Sequence, residues 1–431
     1  NMIRILRAKD EQIIMNNTTL KSVVEEQFSQ LGIPATLDLD QYPNIINLFE
    51  AALVRHAPRK CCSSLGHDLT YSELDQLSAQ FAAWLQQGAG LQHGDRVAIQ
   101  MPNLIQYLVV VLGTLRAGMV VVNTNPLYTE RELEHQFNDA EVKLLVVQAN
   151  VADTAAKVLP RTGVKKVVVT ELADLHPQPK RFLINFVAKH VKKLVPPFSI
   201  PGSLSLREVL TKGSRLQLQP VNPDRESLAM LQYTGGTTGV AKGAMLSHGN
   251  LVANVLQSDA LFASHRIEGA GNVFMQPLPV YHIYAFTASM YSLFVGAQTV
   301  FIPNPRDLGS LVKAFRDYQP RLFCGLNTLF VALSNDPNFQ SLDFSELKVT
   351  LSGGMALTEA AADEWERVTG CKVSEGYGLT ETSPVATSNP GYAQQLGTIG
   401  LPVPMTEVKV IDDAGAELGL EQAGELCIRG P

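Results

Sequence analysis

An α/β fold is what this sequence predicts, and three observations predict it. Apolar runs of strand length alternate with helix-patterned segments through the first part of the chain. A glycine-rich loop follows a short apolar strand near the middle. The composition is that of a large, well-buried globular protein, with 431 residues, 45% of them hydrophobic and 18% charged. Strands alternating with helices of this size argue for βαβ units around a parallel sheet. The length argues for roughly two or three domains or subdomains.

The elements follow in order. Residues 1–44 read as a polar N-terminal extension punctuated by Pro34 and Pro43, and its first residues resemble a leader or tag remnant without a long apolar core. Residues 45–56 are helical in pattern. Thr70 with Glu73 three residues later makes a capping box. It opens a helix with Leu77, Phe81, Ala82 and Leu85 on its apolar face, ended by Gly88 and Gly90. Residues 97–101 form a strand stopped by Pro102, 104–116 a helix, 119–123 a strand, 129–139 a helix, and 143–147 and 167–170 further strands. In the helix 129–139, the pairs Arg131/Glu134 and Glu132/Gln136 predict a solvated face. The apolar stretch 104–122 contains Gln106, Arg116 and two glycines, which makes it a buried helix and strand and not a membrane span.

Residues 180–195, KRFLINFVAKHVKKLV, stand apart. Phe182, Leu183, Phe186, Val187, Val191 and Leu194 share one broad face, ringed by Lys180, Arg181, Lys189, Lys192 and Lys193. Two readings fit: a helix lying on an anionic membrane, or a core-packed helix whose lysines snorkel to water. Pro196, Pro197, Pro201 and Gly202 break the chain after it.

The net charge of −6 offers no basic footprint, so nucleic acid is excluded as the main partner. The five cysteines have no metal-ligand spacing and read as small buried residues of a protein from a reducing compartment. The expected location is the cytoplasm. Contact with the inner face of a bacterial membrane through 180–195 goes with the first reading of that segment. A homodimer is left open.

The densest chemistry lies at Tyr233-Thr234-Gly235-Gly236-Thr237-Thr238-Gly239-Val240-Ala241-Lys242-Gly243. Glycines let the backbone turn sharply and approach a ligand. Successive N–H groups make a concave anion site, threonine hydroxyls add donors, and Lys242 adds a compact positive charge. This is a polyphosphate loop. It lacks the Gly-Lys-Ser/Thr of a P-loop and the glycine spacing of a dinucleotide fingerprint.

Three further segments follow strands. Pro277-Leu278-Pro279-Val280-Tyr281-His282 places an aromatic and a histidine beyond a strand end, where open α/β sheets bind ligands. Ser352-Gly353-Gly354-Met355 allows close approach of a flat ligand. Glu375-Gly376-Tyr377-Gly378-Leu379-Thr380-Glu381 combines an aromatic ring that can stack on a base with a hydroxyl and a hard oxygen donor suited to Mg2+.

These motifs, in this order, resemble those of the acyl-adenylate-forming superfamily. The segments at Asn304-Pro305-Arg306-Asp307 and Gly325–Phe330 resemble bacterial long-chain fatty acid–CoA ligases in particular. The resemblance covers residues from about 45 to 431. It implies two βα-layered subdomains, 45–226 and 227–388, and a small β-barrel-like subdomain at 389–431. It implies ATP-dependent conversion of a long-chain fatty acid to acyl-AMP and then to its CoA thioester, with Mg2+.

By the same resemblance, Thr234, Gly235, Gly236, Thr237, Thr238, Gly239 and Lys242 hold phosphates. Gly353, Gly354, Glu375, Gly376 and Tyr377 border adenine. Thr380 holds the α-phosphate, and Thr234 with Glu381 ligates magnesium. Tyr281, His282 and Gly325 line the acyl site, with Phe286, or else Tyr284, as the gate of an acyl tunnel. His282, Lys242, Thr380 and Glu381 form the catalytic set. Members of the superfamily continue into a ribose-binding aspartate, a hinge and a mobile C-terminal domain with a catalytic lysine. The sequence stops at Pro431 before these, so the expectation is an N-terminal domain with low activity or none and no thioester formation. Two other functions remain open on sequence: an acyl-AMP ligase that loads a carrier protein, and a non-catalytic fatty-acid or nucleotide binding module.

Overall fold

The computed structural model of this chain describes residues 20–234, 241–262 and 271–431. Two compact units account for them. One comprises Tyr42–Leu251 and Gln276–Pro305; the other comprises the described part of Asn1–Gln41, Val252–Met275 and Arg306–Pro431.

The first unit is built on a seven-stranded sheet. Its order is Leu204–Ser205, Lys166–Thr170, Val142–Gln148, Arg96–Gln100, Val120–Asn123, Leu228–Thr234 and Lys242–Ser247. Every neighbouring pair is parallel except the last, which is an antiparallel hairpin. The Val-rich runs at 120–122 and 144–147 are fully buried, as strands covered on both faces must be. Helix Ile105–Arg116 is buried at every position but its last, which explains its near-continuous apolar sequence. Arg116 itself bonds the Asp75 carboxylate at 2.7 Å. Strand Lys60–Ser64 pairs antiparallel with His67–Thr70 and parallel with Gln298–Phe301 in the same unit.

The Thr70/Glu73 capping box forms as its spacing predicts. A second one, Thr129 with Glu132, opens helix Glu130–Asp139. The solvated face expected on that helix is only half right. Glu134 pairs with Arg161 at 2.7 Å in solvent. Gln136, however, is fully buried, and its amide donates to the Asn123 carbonyl at 3.0 Å. The helix thereby ties itself to the end of a central strand.

In the second unit the strands Val273–Gln276, Leu322–Gly325, Val349–Ser352 and Val373–Gly378 run parallel. Val385–Ser388 and Leu401–Pro402 continue antiparallel. Trp365, on helix Glu359–Thr369, is the centre of its core. It stacks on Phe323 at 5.3 Å, meets Phe330 at 5.0 Å and Phe339 at 5.5 Å, and donates its indole N–H to Thr350 at 3.1 Å. At the chain end, Glu407–Ile411 and Glu425–Arg429 form a two-stranded antiparallel ladder.

Candidate active site

The phosphate loop is framed by the hairpin of the first unit. Thr234 ends one strand, Lys242 begins the next, and the two are register partners. Thr234 is half-buried and Lys242 exposed. Gly235, Gly236, Thr237, Thr238 and Gly239 lie outside the described residues.

Helix Glu130–Asp139 grips both strands just before these two residues. Tyr233 donates its hydroxyl to the Asp139 carboxylate in a short hydrogen bond. Burial, together with the Asp139 charge, pushes the Tyr233 phenol well above its ordinary value. His135 Nε2 donates to the Ala241 carbonyl at 2.8 Å. A Cβ at Gly243 would lie 2.9 Å from the Tyr233 ring, so only glycine leaves room for that ring across the hairpin.

The Tyr281-His282 turn is pinned by a buried polar network. Asn103 donates to the Leu278 carbonyl at 2.8 Å and accepts from the Val280 N–H at 2.9 Å. The Tyr107 hydroxyl donates to the Val280 carbonyl at 2.8 Å. Gln232, one residue before Tyr233, donates to the Tyr281 carbonyl at 2.9 Å and accepts from Asn123 at 3.1 Å. The phosphate-loop strand and the Tyr281-His282 turn are therefore held together by side chains from two strands, a helix and the connection that leads into it, all of one unit.

His282 caps helix Ile283–Phe294, its Nδ1 accepting the Tyr284 N–H at 3.3 Å. With Nδ1 engaged as an acceptor, the neutral ring carries its proton on Nε2. Part of the side chain meets solvent, yet the protein packed around the ring disfavours the cation and lowers its pKa. At neutral pH the residue offers an uncharged N–H donor. Phe286 is fully buried one turn along the helix, and Tyr284 is half-buried.

In the second unit three of the residues picked from sequence align across neighbouring strands. Gly325 pairs in register with Ser352, and Ser352 with Glu375. They lie at or near the carboxyl ends of parallel strands, where ligands of open α/β sheets bind. Gly353 and Gly354 follow directly, and Gly354 has φ +82°, a conformation suited to glycine. Gly376 and Tyr377 continue the strand from Glu375, pairing with Ser388 and Thr387. Burial raises the pKa of Glu375, opposed by hydrogen bonds from the Leu357 and Gly397 N–H groups. Thr380 and Glu381 lie on the short 3₁₀ turn Thr380–Thr382, Thr380 half-buried and Glu381 exposed. Asn254 holds the neighbouring strand through both the N–H and the carbonyl of Val385, at 3.1 and 2.8 Å.

Among the described residues no three His, Cys, Asp or Glu side chains form a cluster able to hold a metal. Thr234 and Glu381 are hard oxygen donors of the kind Mg2+ takes, one hydroxyl and one solvent-facing carboxylate. Mg2+ is commonly held by one or two carboxylates together with substrate phosphates, and each of these two side chains is of a donor type that suits it.

Sequence reading found the motif residues and missed the ones that position them: Asn103, Tyr107, Asn123, His135, Asp139 and Gln232. For Asn123, after three valines, and Gln232, after Ala229-Met230-Leu231, the signal was a polar side chain in an apolar run.

A parallel α/β sheet, a glycine-rich hairpin loop and the motif residues at strand carboxyl ends are those of a nucleotide-binding enzyme of the adenylate-forming class. The family model for AMP-binding enzymes matches residues 49–431, and the chain belongs to that family. It is 45% identical over 401 residues to a long-chain-fatty-acid–CoA ligase of Escherichia coli O157:H7, covering 93% of this chain and 71% of that protein. A crystal structure of a long-chain-fatty-acid–CoA ligase from Archaeoglobus fulgidus matches with a TM-score of 0.74 and 25% identity, over 90% of this chain and 75% of that one. An anthranilate–CoA ligase crystallised with anthranoyl-AMP matches with a TM-score of 0.78 over 91% of this chain and 71% of that one; at 19% identity it shows the shared fold.

Proposed function

We propose that this chain activates the carboxylate of a long-chain fatty acid with ATP, forming acyl-AMP, and that the acyl group then passes to the thiol of CoA. The observation that carries the reading is the pairing of Thr234 with Lys242 across the base of a glycine-rich loop. It occurs in a chain 45% identical to a long-chain-fatty-acid–CoA ligase.

A carboxylate is a poor electrophile because its charge repels nucleophiles. In the first step its oxygen attacks the α-phosphorus of ATP, the α–β bridging bond breaks, and pyrophosphate leaves. In the second, the CoA thiolate attacks the acyl carbon and AMP leaves. No protein nucleophile is needed, so catalysis rests on positioning and charge neutralisation. Lys242 and Thr234, with the loop residues Gly235–Gly239, hold the β- and γ-phosphates. Thr380 donates to the α-phosphate. Tyr377 stacks on adenine, with Glu375, Gly376, Gly353 and Gly354 beside it. The Nε2–H of His282, with Tyr281, orients the carboxylate without adding a charge. Gly325 borders the acyl chain, and Phe286 or Tyr284 gates it. Thr234 and Glu381 would hold Mg2+, which shields the phosphate oxygens.

The test is calorimetric binding of non-hydrolysable acyl-adenylate analogues carrying long-chain, acetyl or aminoacyl groups. Preference for the long chain is expected. Equal binding of all three would keep adenylation and remove the fatty acid, and no binding would overturn the nucleotide site in this chain.

A further inference from the structure

The segment Lys180–Val195 belongs to neither group of site residues. It consists of helix Lys180–Phe186 and the π-helical turn Val187–Val191. Its back is fastened to the first unit. Ala188 is buried, and the Asn185 amide accepts from the Ala173 N–H and donates to the Glu171 carboxylate, both at 2.9 Å. Its front is not core, and the core-packed reading of this sequence is corrected here. Phe182 is 65% exposed, Leu183 61%, Val191 65% and Leu194 49%. Phe186, also exposed, stacks on Phe182 at 5.7 Å and meets the His190 ring at 4.8 Å, so the aromatics form one row.

The cations complete the pattern. Lys180, Lys189, Lys192 and Lys193 are exposed and Arg181 is partly so. Among the described residues no salt bridge holds any of the five. They gather on a chain whose net charge is −6. An apolar row left in water is costly and marks an interaction surface.

We propose that residues 180–195 are a docking face for an anionic lipid bilayer, with Phe182, Leu183 and Phe186 entering the headgroup–acyl boundary and the lysines bonding lipid phosphates. Charge selects this occupant. A second copy would bring the same cations face to face and be repelled. An anionic bilayer supplies acceptors for the lysines and an apolar layer for the rings at once. The acidic remainder of the chain is repelled by the same surface, so the segment also sets the orientation of the bound protein. The inference stands on surface chemistry and not on the activity proposed above.

The test is co-sedimentation of the full chain with vesicles of phosphatidylcholine alone or with about one third phosphatidylglycerol, a content that gives the surface a negative potential. Binding to the anionic vesicles only is expected, weakening as salt is raised. The triple variant K189Q/K192Q/K193Q should bind about a hundredfold more weakly, at roughly fivefold per lysine. F182S/F186S should lose binding while keeping its unfolding temperature, since both side chains are already exposed. The native tryptophans, Trp84 and Trp365, are fully buried. Phe186→Trp therefore adds a tryptophan at the proposed face, whose emission should shift to the blue and be quenched by brominated lipid. Equal sedimentation with neutral vesicles, or unchanged binding of F182S/F186S, would overturn the proposal. So would dimerisation of the wild type that F182S/F186S abolishes, which would give the face to a second copy, or an acidic protein competing the chain off vesicles without itself binding lipid.

Discussion

At the scale of the residue, His282 shows how local geometry fixes chemistry. Its Nδ1 is occupied by the Tyr284 N–H, and its pKa is lowered by the protein around it. The helix it caps adds to this, because a helix N-terminus disfavours a cation. The ring should therefore be neutral at pH 8 and take up its proton with a midpoint below about 6.5, the ordinary histidine value. On this account any loss of kcat/KM for the fatty acid on acidification is centred below the ordinary value, and a drop centred on or above it would contradict the account. His282→Ala removes the donor. It should lower kcat/KM for the fatty acid about tenfold or more, in line with the loss of ~1.5 kcal/mol for a hydrogen bond to a charged group. The dissociation constant of ATP should not change, because the proposed contact is with the carboxylate. His282 was legible in sequence because it follows a Leu-Pro-x-Tyr turn at a strand end. Its tautomer was not, since that depends on a backbone N–H two residues away.

At the scale of the element, the helix Glu130–Asp139 acts as a clamp on the loop hairpin. Asp139 and His135 are one turn apart on one helix face and reach Tyr233 and Ala241, each next to a proposed phosphate ligand. Asp139→Ala leaves the buried Tyr233 hydroxyl without this acceptor, which costs about 1–3 kcal/mol in stability. If the clamp sets the spacing of Thr234 and Lys242, the same variant also weakens ATP binding about tenfold. Binding of a long-chain fatty acid without nucleotide should be unaffected, and calorimetry with each ligand separates the two effects. Tyr233→Phe, which keeps the ring over Gly243, should lose less than Asp139→Ala. Nothing in the sequence marked Asp139 or His135, because roughly one hundred residues separate each from its partner. A motif is visible when its residue types recur at fixed spacing along the chain. A clamp is visible only once the chain has folded, and the same holds for Asn103 and Gln232 around the Tyr281-His282 turn.

At the scale of the whole molecule, the alternation of strands and helices was legible because burial on both faces demands apolar runs, and 120–122 and 144–147 obey it. Strand order was not, since βα periodicity says nothing about which strands become neighbours. Nor was the exposure of 180–195, where the pattern alone fits a core face as well as a membrane face. Global stability carries a further consequence of burial. His248, at the start of helix His248–Phe262, is buried, and desolvation with the nearby His93 charge lowers its pKa to about 4. Burial also lowers His56 and His176. For each of these the unfolded chain binds a proton more readily than the folded one, so stability rises with pH between the folded and the ordinary value. The contribution of His248 is complete above about pH 6.5 and is lost progressively as the pH falls toward 4, by up to about 3 kcal/mol. The unfolding temperature should accordingly fall on acidification through this window, before most carboxylates titrate. His248→Gln, which cannot take up the proton, should flatten the slope while lowering stability at pH 7.5 by only ~1 kcal/mol, the usual scale for a single substitution. A slope unchanged in that variant would assign the acid sensitivity to the other buried histidines, and a slope absent in the wild type would mean that His248 meets water in the folded protein.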